Sequence, residues 1–192
     1  TAAPLRLTSA KTIGATTLVT WVSDFNVFAR AWDGASWSTV STVNTAARAG
    51  DPEVGVLAGA PAVFWPSGHD VAVRRWQGGG FTGASTVATT PLSPPPSEPK
   101  VTFNDSGAGL AVWHQNDGGR PSVFAAHLDG AIWSAAFRVA ANAYQPRVTW
   151  GAGRFVIGWL AGSANAYRMG RPTAATYTLA GGLTPPVAVS SS

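Results

Sequence analysis

The amino-acid sequence predicts an all-β fold built from repeated units. Only 11% of its 192 residues are charged, whereas Gly (22) and Pro (14) are frequent and Ser, Thr, Val and Ala are abundant. This composition is typical of many short strands joined by turns. Two landmarks then recur at nearly the same spacing. Apolar runs end in Trp at spacings of 44, 48 and 46 residues, and a Pro opens a β-like run at spacings of 48, 47 and 47. The Trp positions are Trp21, Trp65, Trp113 and Trp159, and the Pro positions are Pro4, Pro52, Pro99 and Pro146.

Each unit is predicted to contain four strands. The first begins at the Pro, and the second ends at the Trp, which is expected to be part of the core. The third strands are NVFARAW, DVAVRRW, SVFAAHL and NAYRM, and the fourth are SWSTVSTV, FTGASTVA, IWSAAFRVA and ATYTLAG. The second strand is apolar on both faces, so both sides of its sheet need cover. Units of about 47 residues with four strands predict a β-propeller. A β-sandwich is the alternative, although it does not require a Trp at a fixed place.

The repeat divides the chain into four predicted blades and one extra strand. The blades span 4–51, 52–98, 99–145 and 146–184, and the remainder spans 185–192. The motif PPVAV at 185–189 repeats the strand-one landmark, and therefore predicts the start of a fifth blade. Such a strand could close the ring onto the first blade, pair with another copy of the chain, or mark the boundary of a longer propeller. The Pro-rich stretch 89–99 predicts a connection between the second and third blades.

Charge and composition limit the classes of partner and the cellular location that are expected for this protein. Thirteen basic and nine acidic residues give a net charge of +4, but only Arg74 and Arg75 are adjacent. Nucleic-acid binders cluster their basic residues on one face, so no nucleic-acid partner is predicted. No apolar run approaches the roughly 20 residues of a membrane span, and Cys is absent. The start without Met predicts either processing or an artificial boundary, and the Ala, Gly and Arg bias with few Lys residues predicts a secreted bacterial protein.

Two segments that are 96 positions apart carry a family resemblance. VFARAWDGASW (27–37) and VFAAHLDGAIW (123–133) share a strand-like run, a DG turn and a Trp. They resemble the repeats of bacterial secreted β-propellers, including propeller lectins, and more loosely the sialidase-like propellers. Sialidase Asp-boxes place the Asp five residues before the Trp, whereas Asp33 and Asp129 lie four before Trp37 and Trp133. Propeller lectins of that kind have more blades, so the resemblance implies either assembly from more than one chain or a truncated propeller.

Catalytic and metal chemistry is not predicted. Glycosidases need paired carboxylates, but Glu occurs only at Glu53 and Glu98, and most Asp residues lie beside turn formers. A sialidase would need an Arg cluster, and Arg30, Arg74 and Arg168 do recur at one place in three units. The three His residues are isolated, so no zinc site, other metal site or cofactor is expected.

Aromatic residues at repeated, half-exposed places are the candidate ligand contacts, because their rings stack on the apolar faces of sugars. We expect neighbouring Arg and Asp side chains to hold sugar hydroxyls. The predicted set is Trp32, Trp37, Trp76, Trp133, Arg30, Arg74, Asp33 and Asp129. The leading hypothesis is a non-enzymatic extracellular module that binds a glycan or another cell-surface partner between its blades. It is expected to assemble as a homo-oligomer or to join the remainder of a larger propeller. The alternatives are a structural subunit joined by C-terminal strand exchange and a fragment of a sialidase-like glycosidase.

Overall fold

The computed structural model describes residues 6–44, 50–90, 96–162 and 170–189. Within these ranges the chain forms eighteen β-strands in four antiparallel sheets and no helix. The all-β prediction is therefore confirmed. We number the sheets as blades 1 to 4 in chain order.

Blades 1 and 2 each contain four strands in sequence order. Blade 1 is formed by β1 (Arg6–Ile13), β2 (Thr16–Ser23), β3 (Asn26–Trp32) and β4 (Ser41–Thr42). Blade 2 is formed by β5 (Glu53–Leu57), β6 (Ala60–Ser67), β7 (Asp70–Arg75) and β8 (Ser85–Thr89).

In blades 3 and 4 the outermost segment forms two short strands that both pair with the third strand. In blades 1 and 2 the first of these two pairings is a single bridge, Trp32 with Trp37 and Trp76 with Phe81. Blade 3 contains β9 (Ser97–Phe103), β10 (Gly109–Asp117), β11 (Arg120–Asp129), β12 (Ile132–Trp133) and β13 (Phe137–Ala141). Blade 4 contains β14 (Ala143–Gly151), β15 (Arg154–Ala161), β16 (Arg171–Thr178), β17 (Gly182–Leu183) and β18 (Val187–Ala188).

Tight turns between the second and third strands set the registers. Asp24 and Phe25 have φ of 48° and 63° between β2 and β3, and Gly118 and Gly119 have φ of 64° and 84° between β10 and β11. Positive φ at both central residues is the type I′ geometry, whose twist matches that of the flanking strands. These hairpins therefore close without a register shift.

The four sheets are arranged as propeller blades. The innermost strands contact one another in chain order, β1 with β5, β5 with β9 and β9 with β14. Three apolar cores fill the spaces between successive blades. This radial arrangement confirms the β-propeller and excludes the β-sandwich alternative.

The recurrent Trp of the second strand packs toward the preceding blade. Trp65 packs against blade 1, Trp113 against blade 2 and Trp159 against blade 3, with exposures of 1%, 0% and 4%. Trp21 occupies the same place in blade 1 and stacks on Phe28 at 5.9 Å, but it belongs to none of the three cores and is only partly buried.

The C-terminal motif does not begin a fifth blade within the described residues. Val187 and Ala188 pair with Ala174 and Thr173 of β16, so they complete the fourth sheet. The prediction for 185–192 is corrected accordingly, and the fourth sheet extends beyond residue 184. The stretch ATYTLAG, predicted as a fourth strand, lies largely in β16, the third strand. The segment NAYRM, with Arg168, lies outside the described residues. The connection between β15 and β16 is longer than the corresponding connection of the other blades, so the third and fourth strands of this unit lie later in the sequence than predicted.

Candidate functional sites

The predicted ligand residues of blades 1 and 2 form two copies of one small structural module. Arg30 Nε donates to the carbonyl of Ser38 at 2.8 Å, and its guanidinium lies 5.8 Å from the ring centre of Trp37. Arg74 Nε donates to the carbonyl of Thr82 at 2.6 Å and lies 5.9 Å from the ring of Phe81. Both guanidinium groups are therefore engaged by their own turn.

The Trp residues of this module pack against the aromatic ring across the turn. Trp32 forms an isolated backbone β-bridge with Trp37, and their ring centroids lie 5.5 Å apart. Trp76 forms the same bridge with Phe81, and those ring centroids lie 5.1 Å apart. Trp76 is buried, with 6% exposure, whereas Trp37 is 46% exposed. Of these rings, Trp37 offers the largest surface to a ligand, and the sugar contacts proposed for the set stay predictions.

In all four blades, a Ser or Thr in the segment after the third strand forms two hydrogen bonds to a residue of that strand. Its hydroxyl accepts the N–H of a third-strand residue at 2.9 to 3.1 Å, and its own N–H donates to the carbonyl of the same residue at 2.8 to 2.9 Å. The four pairs are Ser38 with Ala31, Thr82 with Arg75, Ser134 with His127, and Thr184 with Thr176. The W-S part of the repeated motif therefore has a structural role.

Asp33 and Asp129 also lie at turns. Asp33 Oδ1 accepts the N–H groups of Ala35 and Ser36 at 2.8 and 2.7 Å. These hydrogen bonds lower the pKa of Asp33 because they favour its charged form. Asp129 is exposed at the end of β11, where it pairs with Ile132.

The innermost strands carry polar residues that the sequence analysis did not select. Asp51, Glu98 and Gln145 each directly precede the recurrent Pro of strand one. The pairing shifts at this place in blades 3 and 4: Val112 pairs with Lys100 but His114 with Ser97, and a similar shift occurs in β14. The repeated residue before Pro is the sequence signal that could have identified this group.

Positive φ accompanies both of these bulges. Glu98 has φ 49° and Gln145 has φ 52°. This region is costly for residues other than Gly, and strained backbone of this kind is concentrated at functional sites. β-Bulges likewise redirect side chains next to active sites.

A half-buried histidine, His114, lies beside Glu98. His114 Nδ1 is buried and has no hydrogen-bond partner among the described residues. Burial lowers the pKa of His114, and the Glu98 carboxylate opposes that shift. Nearby, Lys100 Nζ donates to Glu53 Oε2 at 2.9 Å and joins the innermost strands of blades 3 and 2. Charged groups are thus concentrated where β5 and β9 meet.

A cleft of 1270 Å³ opens between the outer parts of blades 2 and 3. Trp133 lines it, and is the one member of the predicted ligand set that does so. Phe64 packs edge-on against Trp133 at 6.2 Å. Most of the lining is apolar.

The described ranges contain neither a metal-binding cluster nor a helix that could span a membrane. There, no cluster of three or more His, Asp or Glu side chains has the arrangement needed to hold a metal ion. Nor does any helix in these ranges have the length and apolar character required to cross a membrane.

No protein-family model and no curated protein matches the chain. Solved structures do match. A thermostable family-43 glycoside hydrolase is similar with a TM-score of 0.65 and 10% identity, over 98% of this chain and 73% of that one. An α-L-arabinofuranosidase from Lactobacillus brevis has a TM-score of 0.59 and 12% identity, over 93% and 72%. An α-L-arabinanase from Penicillium chrysogenum, complexed with arabinobiose, has a TM-score of 0.60 and 13% identity, over 97% and 66%.

These similarities support the propeller fold, since the matched structures are β-propellers. They also correct one prediction. The expectation of a protein that is not an enzyme is contradicted, because the three solved structures described above share this fold and are glycoside hydrolases.

Proposed function

We propose that this chain forms the larger part of a propeller that hydrolyses glycosidic bonds in a polysaccharide. The observation that carries the proposal is the group at the start of the innermost strands, where Glu98 lies on a strained bulge beside His114. The glycoside hydrolases with the same fold support the reaction class. The sialidase-like and lectin-like hypotheses receive less support, because the solved structures named above are an arabinofuranosidase, an arabinanase and a family-43 hydrolase.

Asp51 and Glu98 are the proposed pair of reacting carboxylates. They occupy corresponding places in successive units, each directly before the Pro of strand one. The innermost strands β5 and β9 contact each other, so we expect the two carboxylates to face one substrate. Glycosidases place their two carboxyl groups roughly 5 to 10 Å apart.

Two carboxyl groups suffice for the reaction. One protonates the leaving oxygen of the glycosidic bond, and the other either attacks the anomeric carbon or activates a water molecule. The Lys100–Glu53 ion pair and the amide of Gln145 provide polar groups next to this centre that could hold sugar hydroxyls.

The test is release of reducing sugar from arabinan, arabinoxylan and xylan. Glu98→Gln and Asp51→Asn are each expected to slow hydrolysis by about a hundredfold or more, because each removes a proton-transfer or nucleophilic group. Asp105→Asn is the matched control, since this exposed carboxylate lies in the turn after β9, past the opposite end of that strand from Glu98. Absence of hydrolysis across the three polysaccharides, or unchanged rates in both variants, would contradict the proposal.

The predicted extracellular location suits a polysaccharide substrate. It stays a prediction, as does assembly into homo-oligomers.

A further inference from the structure

Blades 1 and 4 each have one sheet face that no described blade covers. Among the described residues, the innermost strands β1 and β14 do not make the contact that joins β1 to β5, β5 to β9 and β9 to β14. Burial alternates residue by residue in the middle of β2 and of β15, whereas six consecutive residues of β6 are buried. The second strands of blades 1 and 4 are therefore fully covered on one side only.

The less covered face of blade 1 carries Val19 and Trp21, and Phe28 pairs with Trp21 on the next strand. The residues that correspond to Val19 and Trp21 in the other blades are all buried in the core shared with the preceding blade. These residues are Val63 and Trp65, Ala111 and Trp113, and Ile157 and Trp159. Val19, Trp21 and Phe28 are only half-buried. Blade 1 thus presents an apolar face of the kind that elsewhere meets a preceding blade.

Arg30 lies beside this face, at the place that Arg74 has in blade 2. Each of the two side chains donates Nε to a carbonyl of its own turn. Arg74 Nη1 also donates to the carbonyl of Val43 in the preceding blade at 2.9 Å. A blade before blade 1 would offer Arg30 a carbonyl in the same way.

Blade 4 presents the complementary face. Val156 and Ala174 lie on the side of this sheet that faces away from blade 3, and both are half-buried. The corresponding residues of blades 1 to 3 lie in the core with the following blade and are at most 1% exposed. They are Leu18 and Ala29, Ala62 and Val73, and Leu110 and Ala125. Blades 4 and 1 therefore carry the two halves of an interface between blades.

We propose that one further blade lies between blades 4 and 1, and that it belongs to the same polypeptide, outside residues 1–192. One face of this fifth blade receives Trp21, and the other places a Trp on Val156 and Ala174. Its second strand is accordingly apolar on both faces, like β6. The proposal concerns assembly of the ring, and does not depend on the hydrolytic function.

Three established interfaces favour a blade as the occupant, because each joins a face with the recurrent Trp to a face of smaller apolar residues. Apolar faces of this kind mark sites of interaction. Each described blade directly follows the previous one in the sequence, so the next blade is expected from the same polypeptide. The chain matches 73%, 72% and 66% of the three solved structures named above. Those propellers thus contain further polypeptide, about a quarter to a third of their length.

Blade 3 supplies the probe, because both of its faces already form interfaces. Trp113 packs toward blade 2, and Leu110 and Ala125 lie in the core with Trp159. The test uses an extended chain in which a second copy of residues 97–141 follows residue 192. Its two faces are expected to pack on blade 4 and to receive Trp21.

Hydroxyl-radical footprinting with mass spectrometry compares the extended chain with the original one. In the original chain, Trp21 should be oxidised faster than its buried equivalent Trp65. In the extended chain, the oxidation rate of Trp21 should fall to that of Trp65, and the rate of Phe28 should fall with it. Trp150, which is half-buried in the core between blades 3 and 4, should keep its rate in both chains.

Trp21→Lys is the decisive variant, because a charged side chain on this face opposes its burial against a sheet. In the extended chain with Trp21→Lys, Phe28 should keep the oxidation rate of the original chain. Extension should also raise the Tm less in this variant than in wild type. Phe25→Lys is the matched control, since Phe25 is 58% exposed in the turn that follows β2, and it should respond to extension as wild type does.

Two results would overturn the proposal. The first is an unchanged oxidation rate of Trp21 in the extended chain, since the added sheet has faces that already form interfaces within this protein. The second comes from sedimentation equilibrium of the original chain. A dimer in which Trp21 is already oxidised as slowly as Trp65, and which Trp21→Lys dissociates, would assign the face to a second copy of the chain.

Discussion

Arg74 joins blades 1 and 2, and its removal should cost more than removal of Arg30. Both side chains donate Nε to a carbonyl of their own turn, at 2.6 and 2.8 Å, and both lie over an aromatic ring at nearly the same distance. Of the two, Arg74 also donates a hydrogen bond to the neighbouring blade, from Nη1 to the carbonyl of Val43. Comparison of Arg74→Ala with Arg30→Ala therefore isolates the bond between blades.

The magnitude follows from the bonds lost. A hydrogen bond that involves a charged group contributes about 1.5 to 3 kcal/mol, and the lower value is appropriate for these partly buried side chains. Arg30→Ala should then lower the free energy of unfolding by about 1.5 kcal/mol and Arg74→Ala by about 3 kcal/mol. The cation–π contribution is similar in both variants and cancels in the difference.

Urea unfolding followed by Trp fluorescence measures this difference. The midpoint concentration should fall further in Arg74→Ala while the m-value stays that of wild type, because the surface exposed on unfolding is unchanged. Equal losses in the two variants would refute the idea that the Val43 bond couples the blades. A fall in the m-value of Arg74→Ala alone would mean that blade 1 unfolds separately.

Two further predictions follow from burial. Trp113→Ala should lower the free energy of unfolding by about 3 to 5 kcal/mol, and Trp21→Ala by clearly less, because Trp113 is fully buried between two blades and Trp21 is only partly buried. Equal losses in urea unfolding would contradict the importance of this difference in burial. Burial lowers the pKa of His114 below its ordinary value of 6.5. Below pH 6.5 the imidazole therefore binds a proton more readily in the unfolded chain than in the folded one. The contribution of His114 to the free energy of unfolding is full above pH 6.5 and is lost as the pH falls below that value. The decrease in Tm from pH 7 to pH 5 should therefore be smaller in His114→Gln, and an identical decrease in both proteins would exclude this role.

The repeat in the sequence was sufficient to predict the sheets of the first three blades. A second strand that is apolar on both faces must be covered on both sides, and β6 and β10 are covered in this way by the flanking blades. The same periodicity misassigned the end of the chain. A short alternating segment such as Val187–Ala188 carries no information about which strand edge it joins, and the edge of β16 is the one it pairs with.

The candidate sites were less accessible to sequence reasoning. The conspicuous motif, a DG turn followed by Trp and Ser, corresponds mainly to hydrogen bonds that fix the outer turns. Asp51 and Glu98 were not selected as candidate site residues, because a carboxylate before a Pro is an ordinary feature of a loop. Asp51 and Glu98 form a candidate pair only in the folded structure, where the contact between adjacent innermost strands brings equivalent positions together.

The sequence by itself determined the all-β class, the four-strand unit and the burial of three of the four recurrent Trp residues, because these depend on local periodicity and on apolar faces that must be covered. The tertiary structure decided which side chains meet across the seams. The pairs Arg74 with Val43 and Tyr177 with His127 lie 31 and 50 positions apart in the sequence, and local sequence patterns do not encode such contacts.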